Sequence, residues 1–86
     1  MGRVQDKVIL VSGGAMGMGR THCELLAREG GQVIVSDMNA ELGEQVAAGI
    51  RKAGGRAEFV QLDVTDETQW KAVVDGAIAR YGRIAV

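Results

Sequence analysis

Only one cysteine, Cys23, occurs in the 86 residues, so no disulfide can form within the chain. That excludes a stapled secreted mini-domain. The single histidine, His22, is its immediate neighbour. One of each gives no metal-ligand spacing. Adjacent positions on a helix diverge by about 100°, so the two cannot pair as nucleophile and base. Both read as ordinary helix residues. No aliphatic run is longer than Val8–Val11, far short of the roughly 20 residues a membrane helix needs. The stretch Met1–Asp6 holds no apolar segment like that of a secretory signal. Gly2 follows Met1, but Asp6 stands where N-myristoylation wants serine or threonine. These absences set an expectation of a soluble protein of a reducing compartment, the cytoplasm. Neither sign of charge dominates, with 10 Lys and Arg against 11 Asp and Glu. The one basic cluster, Arg51, Lys52 and Arg56, falls where a helix C-terminus would welcome cations. No wider basic face accompanies it, which argues against nucleic acid. Proline is absent, and the aromatics are three: Phe59, Trp70 and Tyr81.

What the chain does have is glycine, 13 residues in 86, about twice the usual 7%. Hydrophobic residues make up 47%, which excludes a disordered chain. The length allows one small domain.

The segments alternate. Lys7–Val11, Gln32–Ser36 and Ala57–Leu62 read as strands, and Arg83–Val86 as the start of a fourth. Their apolar runs are continuous rather than alternating, which suits parallel strands covered on both faces. Between them run three helical patterns. Met18, His22, Leu25, Leu26 and Glu29 recur at helical spacing and stop at Gly30-Gly31. Leu42, Val46, Ile50 and Ala53 follow Asn39 as N-cap and stop at Gly54-Gly55. Trp70, Val73, Val74, Ala77, Ile78 and Tyr81 form the cleanest stripe, after Thr65 or Asp66 as cap and before Gly82. The pattern β-α-β-α-β-α-β predicts an α/β fold of Rossmann type. A parallel sheet would lie between two helical layers, joined by right-handed crossovers. Glu29, Glu41 and Glu44 read as solvated helix acids. Gly43, Gly49 and Gly76 fall inside helices, where close packing is the only reason offered for them.

The first strand-to-helix junction reads Ser12-Gly13-Gly14-Ala15-Met16-Gly17-Met18-Gly19. Gly13, Gly17 and Gly19 have the spacing Gly-x-x-x-Gly-x-Gly. A strand that turns sharply into a helix presents unpaired N–H groups to an anion, and side chains at the turn would keep a pyrophosphate away. Gly13 is expected to permit the turn, Gly17 the close approach, and Gly19 the packing of helix on strand. Asp37 ends the second strand 18 residues after Gly19, near the spacing of a ribose-binding acid. A carboxylate there accepts from both ribose hydroxyls and repels a 2′-phosphate. Two unit charges at ~4 Å repel by up to about 4 kcal/mol at an effective dielectric of 20. Met38 and Met16 bring no cation, so NAD is expected rather than NADP. Asp63 ends the third strand, with Val64 after it. It reads equally as an adenine contact or as a turn acid.

These residues, in this order, resemble the short-chain dehydrogenase/reductase family, over Lys7 to Val86. Ser12 stands where the family usually has threonine and keeps the hydroxyl. The resemblance implies a Rossmann fold with strand order 3-2-1-4, the fourth strand at the C-terminus. It implies Gly13, Met16, Gly17, Met18 and Gly19 at the pyrophosphate, beside Ser12. Asp37 and Met38 would stand at the adenosine ribose, and Asp63 and Val64 at the adenine. It also implies a parent reaction of hydride transfer between NAD and an alcohol or ketone. The family's catalytic serine, Tyr-x-x-x-Lys pair and asparagine have no counterpart here. Tyr81 has Ala85 four residues on and belongs to the helical stripe, as does Trp70; Tyr81 is expected in the core or half-buried, and Trp70 in the core. Residues 1–86 are therefore expected to be the N-terminal part of a dinucleotide-binding domain, without catalysis of their own. The rival readings are a stand-alone dinucleotide-binding module and a self-associating half-fold with an open sheet edge. A methyltransferase fits the acid after the second strand and not the glycine spacing.

Overall fold

Val33, Ile34 and Val35 are wholly buried although they are consecutive, which requires cover on both faces of their strand. The computed structural model, which describes residues 7–15, 17–63, 65–82 and 84, shows how. The elements are β1 (Val8–Ser12), α1 (Gly17–Arg28), β2 (Gln32–Asp37), α2 (Ala40–Lys52), β3 (Arg56–Gln61) and α3 (Glu67–Tyr81). The strands form a parallel sheet with β2 in the middle. Val33 and Val35 face Cys23 and Ala27 of α1 and Val46, Ala47 and Ile50 of α2. Ile34 turns the other way with Leu10 to meet Ala77 of α3, and Trp70, Val73 and Val74 pack around them. Three layers result, two helices on one face and one on the other.

The order seen is 3-2-1. Of the fourth strand expected over 83–86, only Ile84 lies within the described residues. It is not in a strand and packs against the core on the α3 side. The three strands run one residue off their expected limits in places. β1 is Val8–Ser12 rather than Lys7–Val11, and β3 is Arg56–Gln61 rather than Ala57–Leu62. A continuous apolar run carries no alternation to mark its ends.

Helix ends follow local chemistry. The Asn39 side chain accepts from Leu42 N–H at 3.0 Å and caps α2. Asp66, rather than Thr65, caps α3, accepting from Thr68 and Gln69 N–H at 3.0 and 3.1 Å. Gly82 closes α3 at φ 85°, where a side chain would be strained. Four apolar stripe residues differ from expectation. Met18 is 75% exposed, Leu25 and Ile78 are exposed, and Tyr81, expected in the core or half-buried, is 37% exposed. Tyr81 instead donates its hydroxyl to Glu58 on β3 at 2.7 Å, next to an Arg80–Glu58 ion pair of 2.9 Å. Trp70, expected in the core, is half-buried and packs against it. Close packing explains Gly43, whose missing Cβ leaves room for the Phe59 ring. It does not explain Gly49 or Gly76, which look onto open space.

Candidate functional site

The carboxyl ends of three parallel strands must lie on one side of the sheet, and there the chain gathers most of its candidate residues. Ser12 ends β1 and pairs with Ser36 of β2; Asp37 ends β2 and pairs with Gln61 of β3. Hydrogen bonds continue past the strands. Gly14 N–H donates to Ser36 C=O at 3.0 Å, and Leu62 N–H to Asp37 C=O at 3.0 Å. Ser36 is the one buried polar residue among those described, and its Oγ donates to Val11 C=O at 2.8 Å. That bond ties β2 to the strand just before the turn.

The turn itself is shaped by glycine. Gly13 and Gly17 take φ of 67° and 58°, a region costly for residues with a Cβ. A Cβ on Gly17 would meet nothing within 4 Å, so the space above it is open. Gly14 is seated on the core, where an added Cβ would lie 3.0 Å from both Cys23 Sγ and a Val35 methyl. Gly19 lies against the turn: its Cβ would collide with the Gly13 carbonyl. The close contact is thus between the first turn of α1 and the loop that precedes it. Both α2 and α3 carry a glutamate in their first turn, whereas α1 carries no acid there. An unopposed N-terminus is the electrostatic condition for receiving an anion.

Asp37 faces this turn. Its Oδ2 accepts from Ala15 N–H at 3.2 Å and its Oδ1 from Asn39 N–H at 2.9 Å. Met38 follows with its side chain exposed. Asp63 adopts a turn role: Oδ1 accepts from Thr65 N–H at 2.9 Å and from the Thr65 hydroxyl at 2.6 Å. These two bonds, the hydroxyl's first, hold its carboxyl below the usual carboxylate range.

A groove of about 380 Å³ joins the ends of β2 and β3, lined by Met38, Gln61, Asp63, Gln69, Ala72 and Val73. It brings Met38 and Asp63 together. It also adds Gln61 and Gln69, which spacing did not single out. The Gln61 side chain donates to Met38 C=O at 3.1 Å, and the Gln69 side chain accepts from Asp63 N–H at 3.0 Å. The available signal was register, since Gln61 stands opposite Asp37. Met16 and Val64 lie outside the described residues. Across the sheet, a second groove of about 410 Å³ runs along β1, lined by Ile9 to Ser12 and by His22, Leu25 and Leu26 of α1. Cys23 is fully buried, and burial, with the Glu24 charge second, pushes its thiol up to about 11.

A family model described as short chain dehydrogenase matches residues 7–86. Cyclopentanol dehydrogenase of Comamonas sp. (strain NCIMB 9872) is 61% identical over 84 residues, 98% of this chain and 34% of that protein. The 3-alpha-(or 20-beta)-hydroxysteroid dehydrogenase of Mycobacterium tuberculosis (strain ATCC 25618 / H37Rv) is 45% identical over 85 residues, 99% of this chain and 32% of its own. Among solved structures, a hydroxysteroid dehydrogenase from Escherichia coli superposes with a TM-score of 0.90 at 32% identity, over 95% of this chain and 35% of that one. The chain spans about a third of the length of the curated relatives it matches.

Proposed function

The chain belongs to the short-chain dehydrogenase family, and we propose that residues 1–86 are the N-terminal part of its dinucleotide-binding domain. They would hold the adenosine and pyrophosphate of NAD. The observation that carries this reading is the pairing of a glycine turn, open above Gly17, with an acid at the end of β2 that faces it. Ser12, Gly13, Gly17, Met18 and Gly19 would surround the pyrophosphate, joined by Met16. Asp37 and Met38 would take the adenosine ribose. The groove between Met38 and Asp63 has the size and mixed lining that an adenine ring needs, and Val64 would join Asp63 at the adenine.

NAD would be preferred over NADP, because the Asp37 carboxylate would repel a 2′-phosphate on the ribose it holds. In the whole protein the bound cofactor would supply hydride chemistry on an alcohol or ketone. This chain's own residues bind and orient; none of them is assigned an acid–base role. A buried free thiol is at home in a reducing compartment, which supports the cytoplasm.

Titration calorimetry on the chain tests the assignment. NAD is expected to bind tighter than NADP, and Asp37→Ala to abolish that preference. Equal affinities in the wild-type chain would refute the role of Asp37, and no affinity for either would refute the site. One further reading has its own support. Among the described residues β1 is paired on one side alone, and the apolar groove beside it is open, a surface prone to association. Dimers or larger species are expected by light scattering, and a monodisperse monomer would refute that.

A further inference from the structure

The acid that closes β2 already has work before any ligand arrives. Two consecutive N–H groups of the turn, those of Gly14 and Ala15, are held by two consecutive residues of β2. Ser36 holds the first through its main-chain carbonyl at 3.0 Å, and Asp37 holds the second through its carboxylate at 3.2 Å. Ala15 is buried, and a buried N–H left without an acceptor is destabilising. The other carboxylate oxygen is fixed by Asn39 N–H at 2.9 Å, so the side chain cannot swing away without giving up both bonds.

We infer that Asp37 is a positioning residue for the glycine turn: its carboxylate holds Ala15, and with it the approach to the α1 N-terminus, in the shape that receives an anion. The part that concerns ligands rests on the dinucleotide reading above; the part that concerns the turn does not. Cofactor choice and turn geometry then depend on one side chain. A substitution that removes the repulsion of a 2′-phosphate also releases the turn, so affinity for both dinucleotides falls. Asparagine is no substitute, because it offers one acceptor oxygen to two N–H donors.

Amide hydrogen exchange read by NMR on the ligand-free chain decides the first part. In the wild type the Ala15 amide is protected. In Asp37→Asn it exchanges at least tenfold faster, while the Gly14 amide, bonded to Ser36, keeps its protection and reports that the fold is intact. An Ala15 amide that exchanges freely in the wild type, or equally slowly in the variant, overturns the inference. The wild-type measurement stands even if the variant does not fold. The second part uses inorganic pyrophosphate, which has no ribose for Asp37 to touch. Removing a negative charge would by itself tighten its binding, whereas a released turn weakens it at least threefold in Asp37→Asn. Equal or tighter binding overturns the inference. If the wild type binds neither pyrophosphate nor NAD, the dinucleotide reading falls and the exchange result alone decides the role of Asp37.

Discussion

Three glycines inside helices, changed to the same residue, should move stability in opposite directions. Alanine in place of glycine within a helix gains about 0.5–1 kcal/mol, from helix propensity and a less flexible unfolded chain. Gly49 and Gly76 have nothing within 4 Å of an added Cβ, so each should show that full gain. Gly19 has the Gly13 carbonyl in the way, with the Gly13 carbonyl carbon at 2.8 Å and Gly14 Cα at 3.2 Å. All three obstacles are backbone, and no rotamer change relieves them. The turn would have to shift while Ser36 and Asp37 hold its next two residues. Overpacking of this kind costs about 1–3 kcal/mol, and backbone obstacles place it near the upper end. After the propensity gain, Gly19→Ala should lose about 2 kcal/mol. The gap between Gly19→Ala and Gly49→Ala is then about 3 kcal/mol, on the order of 10 °C or more in Tm for a domain of this size. Urea unfolding at constant m measures it directly. If Gly19→Ala proves as stable as Gly49→Ala, the contact between α1 and the turn is not as described. The argument for glycine at that position then fails.

The Cys23 thiol, pushed up to about 11 by burial, gives a pH dependence of definite sign. The folded chain keeps a proton that the unfolded chain releases near the ordinary value of 9.0. This contribution is complete below about pH 9 and is lost as pH rises toward 11. Melting curves from pH 7 to 11 should fall more steeply for the wild type than for Cys23→Ala, and parallel curves would count against it. Ser36→Ala removes a buried hydroxyl that bonds the Val11 carbonyl at 2.8 Å, and should cost about 1–2 kcal/mol in urea. No measurable loss would mean that bond contributes nothing. Tyr81 is the one tyrosine, and its phenol is raised above 10.0, first by its hydrogen bond to Glu58 and then by burial. Ultraviolet titration should show late ionisation that Glu58→Gln moves back toward 10.0; the same curve in both chains would refute the cause.

Residue pattern alone revealed the alternation of strands and helices, because β-branched runs and helical stripes differ in period. Val33 to Val35 could be placed in a doubly covered strand for the same reason. Strand ends escaped, since polar residues such as Lys7, Ser12, Arg56 and Gln61 flank each apolar run, and sheet register decides which of them pair. Asp37 was found by its distance from Gly19. Its bond to Ala15 was not, because a contact across 22 residues follows from sheet register rather than from spacing. The helical stripe puts Tyr81 in the core or half-buried. The structure exposes it, since Glu58 on β3 draws the hydroxyl to the margin of α3. Asp63 could be read two ways, and Thr65 supplies the turn bonds that spacing could not distinguish from a ligand contact.

The register of the sheet has a consequence for how the molecule comes into being. Val8 pairs with Gln32, and Gln32 with Arg56, so each pairing joins residues 24 apart. Among the described residues no hairpin starts the sheet, and each pairing must close across a helix-forming segment. Loop closure over such distances delays strand pairing relative to local helix formation. The order of assembly is therefore expected to run from helix to sheet, with β2 as the seam. It is the strand that both closures share.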